Sequence, residues 1–430
     1  MKRKINAIIT PKDDYYNDNW KKNGYLHFMR IITRTVWILS LVSLFADIAS
    51  ELLYPVIPAY LDSIGFSVLA IGFLEGFAGF TAGISKGYFG KLSDERGLRL
   101  PFVKLGYLLS AISKPMMALF VFPIWIIFSR TVDRLGKGIR TAARDALLSQ
   151  EATKETKGRV FGFHRGMDTL GATIGPALAL VFLFFYPGQY STIFYLAVIP
   201  GLISVLLIFL LKEKRKPVST LGKGNFFSFF SYYKIASPQY KRLVTGLLLF
   251  ALFNSSDLFL LLKTKEAIGD KTIFFLGARF DGVTISIAAY VFYNLVFAIA
   301  SYPLGVLADR LGFKKVFIGG LVLFAFVYAG FAFEPSLFLI FFLFFVYGIY
   351  AAATEGVVKA WITNMAHDTN TATAIGFYTS CESVCTLLSS VIAGAIWTGA
   401  GSFYTFMITA VIAVIVLVYF LIHPGATTKD

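Results

Sequence analysis

The chain has 430 residues, of which 57% are hydrophobic and only 15% are charged. A soluble protein of this length carries about 25% charged residues, so the composition excludes an ordinary soluble domain. The net charge of +15 would suit a nucleic-acid partner. The basic residues, however, cluster before the first apolar stretch and near mid-chain, which is where the positive-inside rule of membrane proteins places them. We therefore expect an integral membrane protein that binds no nucleic acid.

The N-terminal segment, residues 1–33, is polar and carries both signs of charge. It has no apolar core of about 7–15 residues beside a small-residue cleavage site, so it is predicted to be a cytoplasmic tail and not a secretory signal.

Twelve apolar stretches follow, and each is long enough to cross a bilayer as a helix. The predicted spans 1 to 12 are residues 34–60, 68–92, 101–121, 123–146, 158–186, 189–211, 241–264, 283–308, 314–333, 336–362, 371–398 and 402–422. Alternation of period two is rare, so strands are not expected. An even number of spans places both termini in the cytoplasm.

Carboxylates inside the first spans are candidates for proton coupling. Asp47 and Glu51 lie one helical turn apart in span 1, Glu75 lies in span 2 and Asp168 in span 5. Ionisable residues within a membrane are functional candidates by default, because their burial is costly. Static ion pairs are the alternative, since basic residues are also present in these spans.

A motif that follows span 2 recurs after span 8. GKLSDERG (90–97) and GVLADRLG (305–312) share glycine, leucine, aspartate and glycine at the same offsets. An aspartate at a helix end can pair with cations or accept hydrogen bonds from a helix N-terminus across an interface. We predict a cytoplasmic gate here; a charge cluster that only sets topology is the alternative. The gate assignment comprises Gly90, Asp94, Arg96, Gly97, Gly305, Asp309, Arg310 and Gly312, with Arg140, Arg144 and Asp145 of span 4.

Span 4 carries a charged stripe in RTVDRLGKGIRTAARDA (130–146). At about 100° per residue, all its charges fall within an arc of about 140°. Such a stripe cannot face lipid, where one central Arg or Lys costs about 2.5–3.5 kcal/mol. Its excess of positive charge favours an anionic or zwitterionic ligand. The residues predicted to bind substrate are Arg130, Asp133, Arg134, Lys137, Asp257 of span 7 and Glu355 of span 10.

Span 5 contains small residues and a proline at Gly162, Gly171, Gly175 and Pro176. Small residues let helices approach closely, and proline bends a helix, so we predict a bend that opens or closes one end of the path. Ordinary tight packing is the alternative. GFHRGMDTLG (162–171) also matches GFYTSCESVC (376–385) of span 11, which adds to the evidence for a repeat.

The repeats predict an all-α membrane protein of two pseudo-symmetric six-helix halves. The predicted parts are the tail 1–33, the first half 34–211, a cytoplasmic linker 212–240, the second half 241–422 and a cytoplasmic tail 423–430. Within the linker, FFSFFSYYKI (226–235) suits either a short surface helix or a disordered segment. Cys381 and Cys385 suit packing, and the four histidines lack metal-ligand spacing, so no cofactor or metal is expected.

The paired loops resemble the signature G-x-x-x-D-R-x-G of the major facilitator superfamily. The second copy, Gly305–Asp309–Arg310–Gly312, is regular, whereas the first has Glu95 where the family has arginine. Span 5 is similar to the antiporter motif G-x8-G-x3-G-P-x2-G-G, with Ala179 and Leu180 in place of the last two glycines. The resemblance implies twelve helices around a cavity lined by helices one, four, seven and ten, as in bacterial permeases of the drug or small-molecule antiporter type.

The functional hypothesis is a secondary active transporter that exports a small organic solute by alternating access in exchange for protons. Uptake of an anionic solute such as a siderophore, sugar phosphate or carboxylate together with protons is the alternative. An enzyme is not indicated, because no nucleophile–base or metal arrangement is present. The expected partners are a small, anionic or amphipathic substrate, protons and the lipid of a bacterial inner membrane, and we expect a monomer.

Overall fold

The computed structural model describes most of the chain between residues 31 and 423. The described ranges are 31–54, 56–213, 225–269, 273–275, 278–280, 282–333 and 335–423. The predicted N-terminal tail through residue 30, linker residues 214–224 and the C-terminal tail from residue 424 lie outside them, as does the side chain of Glu75.

The first half contains the six predicted spans. They are span 1 (Arg34–Glu51 and Val56–Ser63), span 2 (Val68–Arg96), span 3 (Leu100–Leu119), span 4 (Pro123–Gln150), span 5 (Lys157–Phe185) and span 6 (Tyr190–Leu196 and Val198–Phe209). The predicted apolar stretches are therefore helical, with spans 1 and 6 each divided into two helices.

The second half repeats this arrangement. It contains span 7 (Pro238–Ala251 and Leu258–Ile268), span 8 (Gly282–Leu311), span 9 (Phe313–Ala332), span 10 (Leu337–Met365), span 11 (Thr371–Ala400) and span 12 (Ser402–Ile422). Among the described residues, 7 helices are long and apolar enough to cross a membrane on their own. The remaining spans are interrupted, as in spans 1 and 7, or carry charged residues, as in spans 2 to 4.

One short hairpin departs from the expectation that strands are absent. Strands β1 (Ile273–Phe275) and β2 (Ala278–Phe280) pair antiparallel in the connection between spans 7 and 8. Strands were not expected within the spans, because lipid cannot hydrogen-bond the unpaired backbone groups of a strand. This hairpin belongs to a connection and not to a span, and its two strands pair with each other, so that reason does not apply to it.

The two halves meet closely along spans 2 and 11 and along spans 5 and 8. A Cβ atom built on Gly90 would lie 2.5 Å from the carbonyl oxygen of Ala372, and one built on Gly162 would lie 2.5 Å from that of Ser301. By contrast, Gly76 and Gly79, nearer the other end of span 2, have no atom within 4 Å of such a Cβ. The close contact between spans 2 and 11 therefore lies at the end that carries the duplicated loops, which we call the motif end.

Gly305 provides a test of this close packing. A methyl group there would overlap the carbonyl of Gly158, so Gly305→Ala should push spans 5 and 8 apart at a cost of about 1–3 kcal/mol. Gly319→Ala is the matched control, because its Cβ meets nothing within 4 Å and alanine favours the helix by about 0.5–1 kcal/mol. Thermal unfolding in detergent should show a lower Tm for the first variant and an unchanged or higher Tm for the second; equal Tm values would contradict the packing.

Linker residues 226–235 are helical. This agrees with the first predicted alternative, a short helix, and not with the second, a disordered segment. Phe226–Ser231 is a 3-10 helix, and Tyr232–Ile235 continues it as an α-helical turn. The buried Phe229 lies against Gly87 of span 2, and the ring of Tyr233 stacks on Phe377 of span 11 at 5.5 Å. The segment thus contacts both halves at the motif end.

Candidate functional site

Asp94, in the last turn of span 2, caps the start of span 11. Its carboxylate accepts hydrogen bonds from the backbone N–H of Thr373 at 2.7 Å and from the hydroxyl of the same residue at 2.9 Å. The guanidinium of Arg99 donates to the other oxygen at 2.7 Å. The first turn of a helix has unsatisfied N–H groups and a positive dipole end, so an aspartate is stabilising there.

Asp309 caps the start of span 5 in the way that Asp94 caps the start of span 11. It lies in the last turn of span 8 and accepts from the backbone N–H groups of Gly158 at 2.7 Å and Arg159 at 3.0 Å, at the start of span 5. The Arg159 guanidinium lies 3.3 Å away. Each half therefore caps a helix of the other half with the aspartate of its own repeat, and we call this pair of contacts the clasps.

The arginines predicted for the gate are not part of the clasps. Arg96 is exposed and lies over the ring of Phe102 at 5.8 Å, and Arg310 is also exposed. The cations beside the aspartates are instead Arg99 and Arg159, because these side chains reach the buried carboxylates.

The loop glycines permit the turns that place the clasps. Gly97 and Gly312 have φ angles of 63° and 94°, a backbone conformation that glycine adopts without strain. Together with the hydrogen bond from the Lys157 ammonium to the Thr363 carbonyl at 2.7 Å, the clasps join the two halves at the motif end.

A cavity of about 480 Å³ lies between the halves. Its wall is formed by spans 1, 2, 4 and 5 of the first half and by spans 7 to 11 of the second. The first half contributes the acidic and basic side chains Asp47, Glu51, Lys86, Lys137, Arg140, Arg144, Arg165 and Asp168. The second half contributes Asp257, Glu355, Lys359 and Glu382. The first half is thus net basic and the second net acidic.

Asp145 holds span 4 to span 10 beside this cavity. It is fully buried and accepts from Arg144 at 2.9 and 3.0 Å, while the Lys359 ammonium of the second half lies 2.9 Å from its other oxygen. Arg144 and Asp145, both assigned to the gate, are therefore paired, and through Lys359 the contact extends across the interface between the halves.

Arg165 forms a second bridge between the halves. Its guanidinium donates to Asp168 in its own helix at 2.6 Å and to Glu355 of span 10. Asp47 of span 1 lies close enough to Asp168 for a hydrogen bond between the two carboxyl groups. Asp47, Glu51 and Asp168, which were predicted to couple protons, all line the cavity.

The upper part of the span 4 stripe is placed differently from the prediction. Arg130, Asp133 and Arg134 are not among the residues that line the cavity. Asp133 is instead buried between Arg130 at 3.3 Å and Lys114 of span 3 at 3.4 Å, and it accepts from Ser110 at 2.6 Å. Asp133 thus belongs to a buried ion-pair network between spans 3 and 4, and substrate binding by Arg130 and Asp133 stays a prediction.

Of the predicted substrate residues, Lys137, Asp257 and Glu355 do line the cavity. Arg140 and Arg144, which were assigned to the gate, line it as well. A helical wheel identifies the charged face of span 4 but not how deep each residue lies, so it did not predict that Arg140 and Arg144 line the cavity.

The bend predicted at Pro176 does not interrupt the helix, since span 5 is continuous from Lys157 to Phe185. Gly162 packs on span 8, whereas Gly171 and Gly175 pack on span 1, with Cβ positions 2.5 Å from the Leu44 oxygen and 2.7 Å from the Leu52 nitrogen. These contacts are the close packing given as the alternative.

Several cavity residues had not been assigned a role. Lys359 and Glu382 stand out as charges in apolar spans, a signal available in the sequence. Tyr293, Tyr347 and Tyr350 are identifiable from the sequence as candidate substrate contacts in spans 8 and 10, but the grouping of Tyr293 and Tyr347 around Asp257 is not. The partners of the clasp aspartates are mainly backbone N–H groups, which no residue type reveals.

The fold and the charged cavity between its halves define a membrane transporter of two repeated halves. The Major Facilitator Superfamily model matches residues 39–280 and 273–430, and the chain belongs to this family.

Known relatives agree with this assignment. An uncharacterized MFS-type transporter of Methanocaldococcus jannaschii is 31% identical over 388 residues, which cover 90% of this chain and 94% of the relative. An uncharacterized protein of Mycobacterium bovis is 26% identical over 42% of this chain and 44% of its own length.

Solved structures share the fold. The human organic anion transporter MFSD10 superposes with a TM-score of 0.70 at 15% identity, covering 90% of this chain and 99% of its own. The Escherichia coli fucose:proton symporter FucP gives 0.71 at 12% identity, covering 90% and 97%.

Proposed function

We propose that this transporter exchanges a small organic solute for protons across the cytoplasmic membrane, with the motif end and both termini in the cytoplasm. The observation that carries the proposal is the carboxyl pair Asp47–Asp168 in the cavity wall, next to the Arg165 bridge between the halves. The basic linker and N-terminal residues support the orientation.

The carboxyl pair offers a site for one proton. Two carboxylates in contact repel each other unless a proton lies between them. Asp168 is already ion-paired with Arg165 and lies 3.7 Å from Arg144, whereas Asp47 forms no ion pair with any described residue. Asp47 is therefore the member of the pair to which we assign the transported proton.

Loss of that proton would weaken the bridge between the halves. Ionised Asp47 adds a negative charge near Arg165 and Lys137. This charge competes with Glu355 for Arg165, so the link from span 5 to span 10 loosens. Proton binding and the contact between the halves are linked in this way, which is what coupling requires.

The packing of span 5 supports exchange over co-transport. Two glycines of the antiporter-like motif, Gly171 and Gly175, lie directly against span 1, and a Cβ on Gly171 would be 3.0 Å from the Asp47 Cβ. The motif is thus in contact with the helix segment that carries the proposed proton site.

Asp47→Asn should abolish solute–proton exchange. The variant keeps the size of the side chain but cannot ionise, so solute can still exchange for solute while net flux no longer follows a pH gradient. Everted vesicles with an acidified interior and a pH-sensitive dye measure this directly: added solute should release protons from parent vesicles and not from the variant. Glu155→Gln, which alters an exposed carboxylate, should behave as the parent. Proton release by Asp47→Asn at the parental rate would rule out the assignment.

Co-transport of an anionic solute with protons is the second candidate. The guanidinium of Arg140 in the cavity wall, which no described carboxylate neutralises, favours it. The same vesicles distinguish the two, because solute moving together with protons would not discharge an acidic interior.

A further inference from the structure

Arg140 is a buried cation without a carboxylate partner in the described part of the chain. It is 3% exposed, and its guanidinium lies over the Tyr107 ring at 4.4 Å. Its Nε and Nη1 atoms have no hydrogen-bond partner among the same residues. Arg144 and Arg165, which also line the cavity, are both neutralised by aspartates.

An unpaired buried cation lowers stability, so its presence in a cavity wall indicates a ligand that completes it. The span 3 backbone makes room for it: a Cβ on Gly106 would lie 2.6 Å from the Cβ of Arg140. The planar fork of a guanidinium suits a carboxylate or another oxyanion.

Across the cavity, Asp257 lies in the break of span 7 and is surrounded by tyrosines. Its two oxygens each accept one hydroxyl, from Tyr293 and Tyr347, both at 2.7 Å. The rings of Tyr290 and Tyr293 lie 5.5 Å apart, and those of Tyr347 and Tyr350 lie 5.2 Å apart. We call this group the tyrosine cage.

The tyrosine cage has the properties of an ammonium site. Aromatic faces and a carboxylate attract cations, and together they recognise primary and quaternary ammonium groups. Each Asp257 oxygen retains acceptor capacity after one hydroxyl contact. The adjacent Asn254 adds a buried carbonyl oxygen, Oδ1, that has no partner among the described residues.

We propose that the substrate is amphoteric, with an acidic group held by Arg140 and an ammonium group held by the tyrosine cage. This inference deepens the proposed function and rests on the same cavity. The wall is net basic in the first half and net acidic in the second, so a ligand of one charge would satisfy only one side. Phe250, Phe297 and Val358, which also line the cavity, suit an apolar spacer between the two groups.

Equilibrium binding to the purified full chain tests this without a pH gradient. The probes are 4-aminobutyrate, 6-aminohexanoate and 8-aminooctanoate, each compared by calorimetry with the carboxylic acid and the amine of the same length. The best zwitterion should bind at least about tenfold more tightly than either single-charge analogue, because it gains a second charged contact. A single-charge analogue that binds as tightly, or a lack of binding by every zwitterion, would overturn the proposal.

Two variants assign the ends of the ligand. Arg140→Gln should lower affinity for the zwitterion at least about tenfold and leave affinity for the amine unchanged. Asp257→Asn should lower affinity for the zwitterion and leave affinity for the carboxylic acid unchanged. If Asp257→Asn does not fold, the double variant Tyr293→Phe/Tyr347→Phe takes its place, and it should likewise lower affinity for the ammonium group. Lys104→Gln, a cation outside the cavity lining, is the control. Equal losses for amine and acid in both variants would contradict the two-ended site.

The outcomes separate this inference from the antiport proposal. Zwitterion binding without proton release in vesicles would remove the antiport and retain the amphoteric site. Proton release by solutes of a single charge, with no preference for zwitterions in binding, would retain the antiport and remove the amphoteric site.

Discussion

Replacing Asp94 and Asp309 together with asparagine should open the motif end. Each aspartate accepts from backbone N–H groups at the start of a helix of the other half and also contacts an arginine. Asparagine keeps one acceptor oxygen, so each substitution removes one hydrogen bond, worth about 0.5–1.5 kcal/mol, and the charge at the helix dipole, worth about 0.3–1 kcal/mol. The two clasps act in parallel, so the closed motif end should lose about 2–5 kcal/mol in total, a shift of roughly 30-fold to 4000-fold in population.

Thiol labelling measures this opening. The reporter is the substitution Ser301→Cys, buried between spans 8 and 5, in a chain whose Cys381 and Cys385 are replaced by serine. A membrane-impermeant thiol reagent should label the introduced thiol much faster in the double variant than in the parent. The matched control is Glu95→Gln, because Glu95 pairs at 3.1 Å with Lys91 of its own helix and not across the halves. Faster labelling in the control as well, or no change in the double variant, would contradict the role of the clasps.

Asp145→Asn should be the most destabilising single change. Asp145 is fully buried between Arg144 and Lys359, and its neutralisation leaves the Lys359 ammonium without this partner. Removing one member of a buried ion pair costs about 3–5 kcal/mol, because the other charge remains desolvated. The expected result is a large fall in Tm or loss of monodisperse protein.

Replacing Lys359 as well should restore much of the stability that Asp145→Asn loses. Lys359→Met removes the stranded cation, so the double variant should be more stable than Asp145→Asn alone, which is a non-additive result. Glu382→Gln is the control, since Glu382 lines the same cavity but accepts a hydrogen bond from the Tyr378 hydroxyl at 2.7 Å and belongs to neither the Asp145 nor the Lys359 contact. Additive Tm changes in the double variant would show that Asp145 and Lys359 do not interact.

The spans were predictable because length and hydropathy are local properties of the sequence. Spans 1 and 7 were predicted as continuous stretches, and their interruptions after Glu51 and after Ala251 were not foreseen. Asp257 owes its access to the cavity to the second of these breaks, so its tyrosine partners could not be inferred from helical periodicity.

The charged stripe of span 4 shows where sequence reasoning reaches its limit. Arg130 and Arg140 occupy the same face of the helix, yet the structure pairs Arg130 with Asp133 and leaves Arg140 in the cavity wall. The difference depends on Lys114, which lies in another helix and completes the buried network. Such partners are fixed by tertiary packing, not by spacing along one span.

The aspartates of the clasps were expected to pair with cations or accept from a helix N-terminus across an interface, but which helices they cap was not predicted. The repeat predicted that Asp94 and Asp309 are equivalent, and the structure gives each a helix start in the opposite half. Because the starts of spans 5 and 11 are themselves related by the repeat, the two contacts are pseudo-symmetric. A rigid-body movement of one half against the other would release both together.

Distances at the two ends of the bundle, measured together by electron spin resonance, test the central claim of alternating access. One pair of labels at Lys154 and His367 reports the motif end, and a second at Ser63 and Thr398 reports the opposite end; all four residues are exposed. In the Asp94→Asn/Asp309→Asn variant, the first distance should lengthen and the second should shorten relative to the parent. If both distances lengthen, or if neither changes, the halves do not alternate about the cavity.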